Sequence, residues 1–218
     1  MVFSNAKKGI KKIILGQLFA IITTVLSSGI ALLLGITARI FGGIDSVAAT
    51  HLMLASFFIG LVSVVTITLT AVISFIGYIQ ASKDEADFRN AMFCALAVGA
   101  LSVTGFFFKI PNGSISTIFN SASTIVEMFV MIFAISGVIN LMTACERADM
   151  AEEGDRVLKI LVITYIISAI NSLIIRIFEL SEHAKNVSII IGVVDLVLSI
   201  IQYVIYIRFL RGSLAALP

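Results

Sequence analysis

Glu127 and Asp195 each lie near the middle of a long apolar stretch, residues 118–144 and 187–208 of a 218-residue chain. An ionised carboxylate at the centre of a bilayer costs roughly 2.5–3.5 kcal/mol even on lenient insertion scales, so each acid must be kept away from lipid. Three chemistries achieve that. The carboxyl can stay protonated and donate a hydrogen bond, because desolvation disfavours its charged form. It can pair with Arg176, which ends the short uncharged run 160–175. Or it can line a wet cavity and hold a proton or a cation. The candidate ion or solute site is therefore Asp195 and Glu127, with Gln202, Gln17 and Asn171 as neutral polar lining and Arg176 as an outer counter-charge. The alternative is a buried acid satisfied by Arg176, Gln202 or a hydroxyl, with no solute involved.

The remaining reactive side chains point to little further chemistry. His51 and His183 have a spacing unlike any zinc motif and fall at span boundaries, where they read as interfacial residues. Cys94 and Cys145 belong to no CxxC or Cys/His cluster and read as packing residues. No HExxH, GxSxG, Walker A or GxGxxG sequence occurs. The expectation is a protein that is not an enzyme and needs no metal or cofactor.

What must hold the acids in place is a membrane bundle. The chain is 59% hydrophobic and 13% charged, with a mean hydropathy of +1.11, against about half apolar and a quarter charged for a soluble domain. Spans are expected near residues 13–38, 52–81, 90–108, 118–144, 158–178 and 187–208, because roughly 20 apolar residues cross a bilayer and every backbone amide must pair within its own helix. The fold class is thus all-α, a polytopic transmembrane bundle of six spans forming one domain over residues 1–218. The first apolar run, residues 13–37, is too long for the core of a cleaved signal and reads as a span.

Turn chemistry marks the divisions. Gly42-Gly43 with Asp45, the S-x-x-E capping box Ser82-Lys83-Asp84-Glu85, Pro111-Asn112-Gly113, Gly154-Asp155 as a stop followed by a cap, and Ser181 each separate two spans. On this reading the fourth helix runs on into the charged segment 146–159 as far as Gly154. Eleven of the fifteen Lys and Arg residues fall on the side of the termini and four, Arg39, Lys109, Arg176 and Lys185, on the other. The positive-inside rule then places both termini in the cytoplasm, and a plasma (inner) membrane is the expected location. The inner span ends at residues 79–81, 143–145 and 208–210 recur about every 64 residues, as three tandem helical hairpins would.

Polar residues recur at helical spacing along most spans. Examples are Gln17, Thr24 and Ser28 in the first, Thr70, Ser74 and Gly77 in the second, Thr164 and Ser168 in the fifth, and Asp195, Ser199, Gln202 and Tyr206 in the sixth. For the small residues, close helix packing is the simplest use. The run Gly16, Ala20, Thr24, Ser28 resembles the first helix of the substrate-binding components of energy-coupling vitamin transporters, which implies contact with a partner helix. The likeness covers that helix alone and carries no binding residue across. Tyr78, Tyr203, Tyr206 and Phe106 to Phe108 lie near span ends and read as an aromatic belt.

The expected partners are the lipid bilayer, a small solute or cation, and either a second copy of the chain or a membrane partner subunit. Nucleic acid is not expected, since the basic residues form no single patch. A noncatalytic subunit docking a partner through small-residue helix faces and the charged segment 146–159 is the second reading.

Overall fold

The computed structural model describes residues 3–40, 46–107, 114–178 and 184–218, with side chains outside the described set at 31–53, 105–118, 172–189 and a few single positions. Six helices follow one another: α1 (Ser4–Ile40), α2 (Ser46–Ala81), α3 (Asp87–Phe107), α4 (Ser114–Ala144), α5 (Ala148–Phe178) and α6 (Ala184–Ala216). No strand occurs among the described residues. Four segments, Ser4–Ser27, Gly60–Ala81, Ala122–Ala144 and Ile190–Ala216, are long and apolar enough to cross a membrane.

The outer surface agrees with that setting. Phe57, Phe58, Leu61, Val64, Val65 and Ile67 of α2 are each more than half exposed, and α5 and α6 show similar rows of Ile and Val. A contiguous apolar face of that size would drive aggregation in water, whereas in lipid it is the expected solvent-facing surface.

Each helix packs on its neighbours in chain order and α6 returns to α1, closing a ring, while α4 also meets α6 across it. The α1–α2 and α3–α4 pairs are the most extensive. Gly9 and Gly77 let α1 and α2 touch backbone to backbone, for a Cβ on Gly9 would lie 2.5 Å from the Gly77 carbonyl oxygen.

The two chain ends meet. Lys7 Nζ donates to the Leu217 carbonyl at 3.0 Å, satisfying an acceptor that the end of α6 would otherwise leave open. The α2–α3 turn is tied to α4 near the end where the α4–α5 turn begins: Asn140 Nδ2 donates to Asp87 Oδ2 at 3.0 Å and to Glu85 Oε1 at 3.3 Å.

Both of these turns differ from the sequence expectation. Ser82-Lys83-Asp84-Glu85 is not a capping box for α3. Ser82 Oγ donates back to the Ile79 carbonyl, and Asp84 instead accepts from Asn5 Nδ2 and the Ala6 amide, capping α1. The ring brings a helix start against this turn, and an anionic acceptor there satisfies first-turn amides that have no partner in their own helix.

Likewise α4 stops at Ala144, not at Gly154. Glu146 takes a left-handed conformation, φ 58°, while its amide bonds the Thr143 carbonyl and the Arg147 amide bonds the Met142 carbonyl, a Schellman closure. Gly154 lies inside α5, buried, where a Cβ would come within 2.5 Å of Ile139 and 2.8 Å of Phe209. It serves close packing rather than helix termination. The divisions expected at Gly42-Gly43, Pro111-Asn112-Gly113 and Ser181 lie outside the described residues.

Candidate functional site

Among the described side chains, burial stops partway along every helix. The core consists of residues such as Ile10, Ile13, Tyr78, Phe88, Val138, Leu141, Tyr206 and Phe209, all near the end that holds the termini. Moving away from that end, the last buried positions are Thr23 on α1, Ser74 on α2, Ala91 on α3, Val130 on α4, Thr164 on α5 and Gln202 on α6. Beyond them no described side chain is buried. Among the described residues the bundle thus has a packed half and an open half.

Glu127 sits at this boundary and points inward. It precedes Met131, Ala134 and Val138 by four, seven and eleven residues, and helical periodicity puts it on their buried face. Yet Glu127 is exposed, so the face that packs one turn below meets open space here. Its carboxyl has no hydrogen bond among the described residues, and its charge bears on Tyr78 of α2, Tyr165 of α5 and Tyr203 of α6. Glu127 therefore looks into the ring.

Asp195 behaves differently. It lies seven residues before Gln202 on the inward face of α6, half-buried, and accepts from Asn171 Nδ2 at 2.8 Å and Ser168 Oγ at 3.4 Å on α5. Two of the expected site residues, Asp195 and Asn171, are thus joined directly. Gln202 is buried one level lower, with Nε2 donating to Thr164 Oγ1 at 2.7 Å. Gln17 is buried on α1, and its Oε1 accepts no hydrogen bond. Arg176 belongs to α5 toward its far end, with its side chain outside the described set.

The tyrosines correct the aromatic-belt expectation. Tyr78 is 2% exposed and Tyr206 fully buried, and Tyr165 and Tyr203 are half-buried. Tyr78 and Tyr206 lie within the packed half, and Tyr165 and Tyr203 lie at its edge beside Thr164 and Gln202. Tyr203 lies beside Thr24 of α1, and the Tyr165 hydroxyl donates to the Met131 sulfur at 3.6 Å. The phenols of Tyr78 and Tyr206 adjoin, but Tyr206 Oη completes no hydrogen bond of ordinary geometry. Ser74 Oγ and Thr70 Oγ1 on α2 are also buried without partners.

A buried hydroxyl or amide oxygen left unpaired costs about 1–3 kcal/mol; Gln80 Oε1 is unpaired too, and Ser74 Oγ lies in the α1–α2 contact beside Gly16. The signal for the tyrosines was available in helical spacing. Tyr78 follows Ser74 by four residues, and Tyr206 follows Gln202 by four, extending the inward polar faces of α2 and α6. For Tyr206 that spacing was read, whereas for Tyr78 proximity to the span end masked it.

Arg147 and Asp149, and Arg156 and Glu152, form exposed ion pairs on the α4–α5 turn and first turns of α5. No group of three His, Cys, Asp or Glu side chains able to hold a metal ion forms among the described residues.

An apolar exterior and four helices long and apolar enough to cross a bilayer fit a helical membrane protein. Set against known families, curated proteins and solved structures, the chain matches none of them.

Proposed function

We propose that the protein is a noncatalytic six-span bundle of a plasma (inner) membrane, both termini cytoplasmic, that binds or passes a small solute or cation. The solute enters the open half from the side opposite the termini and reaches Glu127 at its floor. Asp195, Asn171 and Ser168 line the way, and Gln17 and Gln202 lie below. The orientation is supported by the charge asymmetry, eleven of fifteen basic residues falling at the end where α1 and α6 meet.

The single observation that carries this reading is that Glu127 lies on the packing face of α4 but is exposed. A carboxylate on the face of α4 that packs against its neighbours is turned away from lipid. Reconstitution in liposomes tests it. Glu127→Gln should lower cation or proton flux at least several-fold while the protein remains folded, and flux equal to wild type would count against the reading.

The second reading, a subunit that docks a partner, has support in the exposed charged turn at residues 146–159. The Gly9 and Gly16 face of α1, however, is already taken up by α2 of the same chain. A partner would therefore have to use the turn. Co-purification of a second chain that is lost on reversing the charges of Arg147 and Arg156 would favour this reading.

A further inference from the structure

We propose that the flank formed by α1 and α6, at the end holding the termini, binds the headgroup of an anionic phospholipid, with Lys8, Lys11, Arg208 and Arg211 as its cations. Such a site does not depend on the solute that the open half takes up.

Charge is divided unevenly at this end. α1 has no acidic residue, and the only one on α6 is Asp195, further along its inward face and engaged with Asn171. Lys7, Lys8, Lys11, Lys12, Arg208 and Arg211 all belong to these two helices. The other two turns at this end, residues 83–89 and 146–159, hold eight Asp or Glu against five Lys or Arg. The α1–α6 flank is therefore basic and the rest of the end acidic.

The cations also differ in what they touch. Arg147 and Arg156 already have carboxylate partners, whereas Lys8, Lys11, Arg208 and Arg211 are exposed and form no ion pair among the described residues. Asp84, the acid that touches α1, is taken up by Asn5 and the Ala6 amide, and Lys7 by the Leu217 and Pro218 carbonyls.

Helix geometry places the four along the outer side of one seam. Lys11 follows Lys7 by four residues and so lies on the side of α1 that meets the end of α6, with Lys8 one turn before it. On α6, Phe209 and Gly212 face Gly154 and Met150 of α5, and at about 100° per residue Arg211 falls on the flank toward α1. Arg208 lies one turn further into the span.

Depth separates this group from ordinary surface charge. Arg211 and Arg208 stand about 9 and 13 Å of helix inside Leu217, which touches Lys7. Both lie within the apolar segment Ile190–Ala216, and one turn beyond Arg208 comes Val204, 52% exposed. Leu15 and Phe19, also exposed, follow Lys11 by four and eight residues on α1.

A guanidinium exposed at that depth is costly without an anion. Its stem lies along apolar surface while the planar fork reaches the headgroup level, where a phosphate accepts two parallel hydrogen bonds. The acyl chains then cover Leu15, Phe19 and Val204, which a soluble anion would leave bare. A zwitterionic headgroup brings its own cation and gains less from the basic flank.

The purified full chain in a neutral detergent is titrated with phosphatidylglycerol, with phosphatidylcholine of the same acyl chains, and with glycerol 3-phosphate, and bound molecules are counted by native mass spectrometry. Saturable retention of phosphatidylglycerol is expected, at least about tenfold tighter than that of phosphatidylcholine. Each basic residue near an anionic surface is worth about fivefold, so Arg208→Gln with Arg211→Gln should weaken retention by about thirtyfold, and Lys8→Gln with Lys11→Gln by a similar factor. Arg147→Gln with Arg156→Gln removes the same charge from the paired corner and should change it by less than about threefold. Circular dichroism matching wild type establishes folding, and if the arginine variant does not fold, the lysine variant decides.

Equal retention of the two lipids would overturn the proposal. Equal loss in the Arg147 and Arg156 variant would do the same, because net charge and not the seam would then attract the lipid. Glycerol 3-phosphate bound as tightly as phosphatidylglycerol would make the flank a soluble-anion site and overturn the lipid assignment. An acidic protein held on this flank and not displaced by phosphatidylglycerol would overturn it too.

Discussion

The Asp84 carboxylate accepts a 2.7 Å hydrogen bond from the backbone amide of Ala6, so the turn after the second helix caps the start of the first. Its other oxygen holds Asn5 Nδ2 at 3.0 Å. The cap acts between elements 78 residues apart and fastens the α2–α3 turn to the chain start. Asp84→Ala should cost about 1 kcal/mol, as loss of a helix cap generally does. Asp84→Asn, which keeps an acceptor oxygen, should recover more than half of that. Reversible unfolding in mixed micelles measures both, and equal midpoints for wild type and Asp84→Ala would show that the contact adds nothing.

Contact between α1 and α2 depends on two glycines whose added Cβ atoms would strike backbone. At Gly77 the nearest atoms are the Gly9 carbonyl oxygen and Ile13 Cγ1, each 2.8 Å away. Backbone cannot rotate aside, so Gly77→Ala should separate the helices and destabilise by about 1–3 kcal/mol, the usual cost of overpacking. Gly99→Ala is the control. Nothing lies within 4 Å of its Cβ, and replacing a mid-helix glycine there should gain roughly 0.5–1 kcal/mol. Thermal unfolding of the two variants should move in opposite directions.

The contrast between these positions marks what the sequence could reveal. Helix number and approximate extent follow from apolar run length, and the inward polar faces follow from spacing, because both are local properties. Asp84 capping α1 and Gly154 packing against Phe209 depend on which helices meet, a non-local fact that no run of residues contains. The same reasoning covers the site. Asp195, Asn171, Glu127, Gln17 and Gln202 stood out as polar residues in apolar surroundings, whereas Tyr78 was hidden because a phenol is equally at home at a membrane interface or in an interior. Only the level at which packing stops distinguishes the two.

Glu146 closes α4 in a conformation that side chains bearing a Cβ adopt at a cost of roughly 1–2 kcal/mol. Glycine has no such penalty, and the Schellman bonds from residues 146 and 147 would be unchanged. Glu146→Gly should therefore stabilise the protein by about 1 kcal/mol, while Glu146→Ala should not. A higher unfolding midpoint for Glu146→Ala than for Glu146→Gly would contradict the assignment of strain to this residue.

On the same turn, Arg147 donates from Nε and Nη2 to the two oxygens of Asp149 at 3.1 and 3.0 Å, and this holds the Asp149 carboxyl below the usual carboxylate range. A carboxyl depressed in the folded state favours folding above its unfolded value, and that contribution disappears as pH falls through the folded value. Both groups are exposed, so the effect on stability is small. Carboxyl-carbon NMR should find Asp149 titrating below free aspartate, and Arg147→Ala should return it toward the ordinary value. Identical titration in both proteins would show that the ion pair is not populated in solution.

Asp195 offers the sharpest separation of structure from function, because Asn171 Nδ2 donates to it at 2.8 Å across the α5–α6 seam. Asp195→Asn retains an acceptor oxygen and should stay within about 1 kcal/mol of wild type, whereas Asp195→Leu leaves the Asn171 amide without its acceptor and should cost about 1–3 kcal/mol. If the acid only ties two helices together, flux through Asp195→Asn should match wild type at every pH. If its charge draws a cation along the open half, Asp195→Asn should lower flux several-fold with stability unchanged. Stability by unfolding and flux in liposomes, measured on the same two variants, decide between a helix tie and a lining acid, because only the second makes a folded Asp195→Asn protein defective.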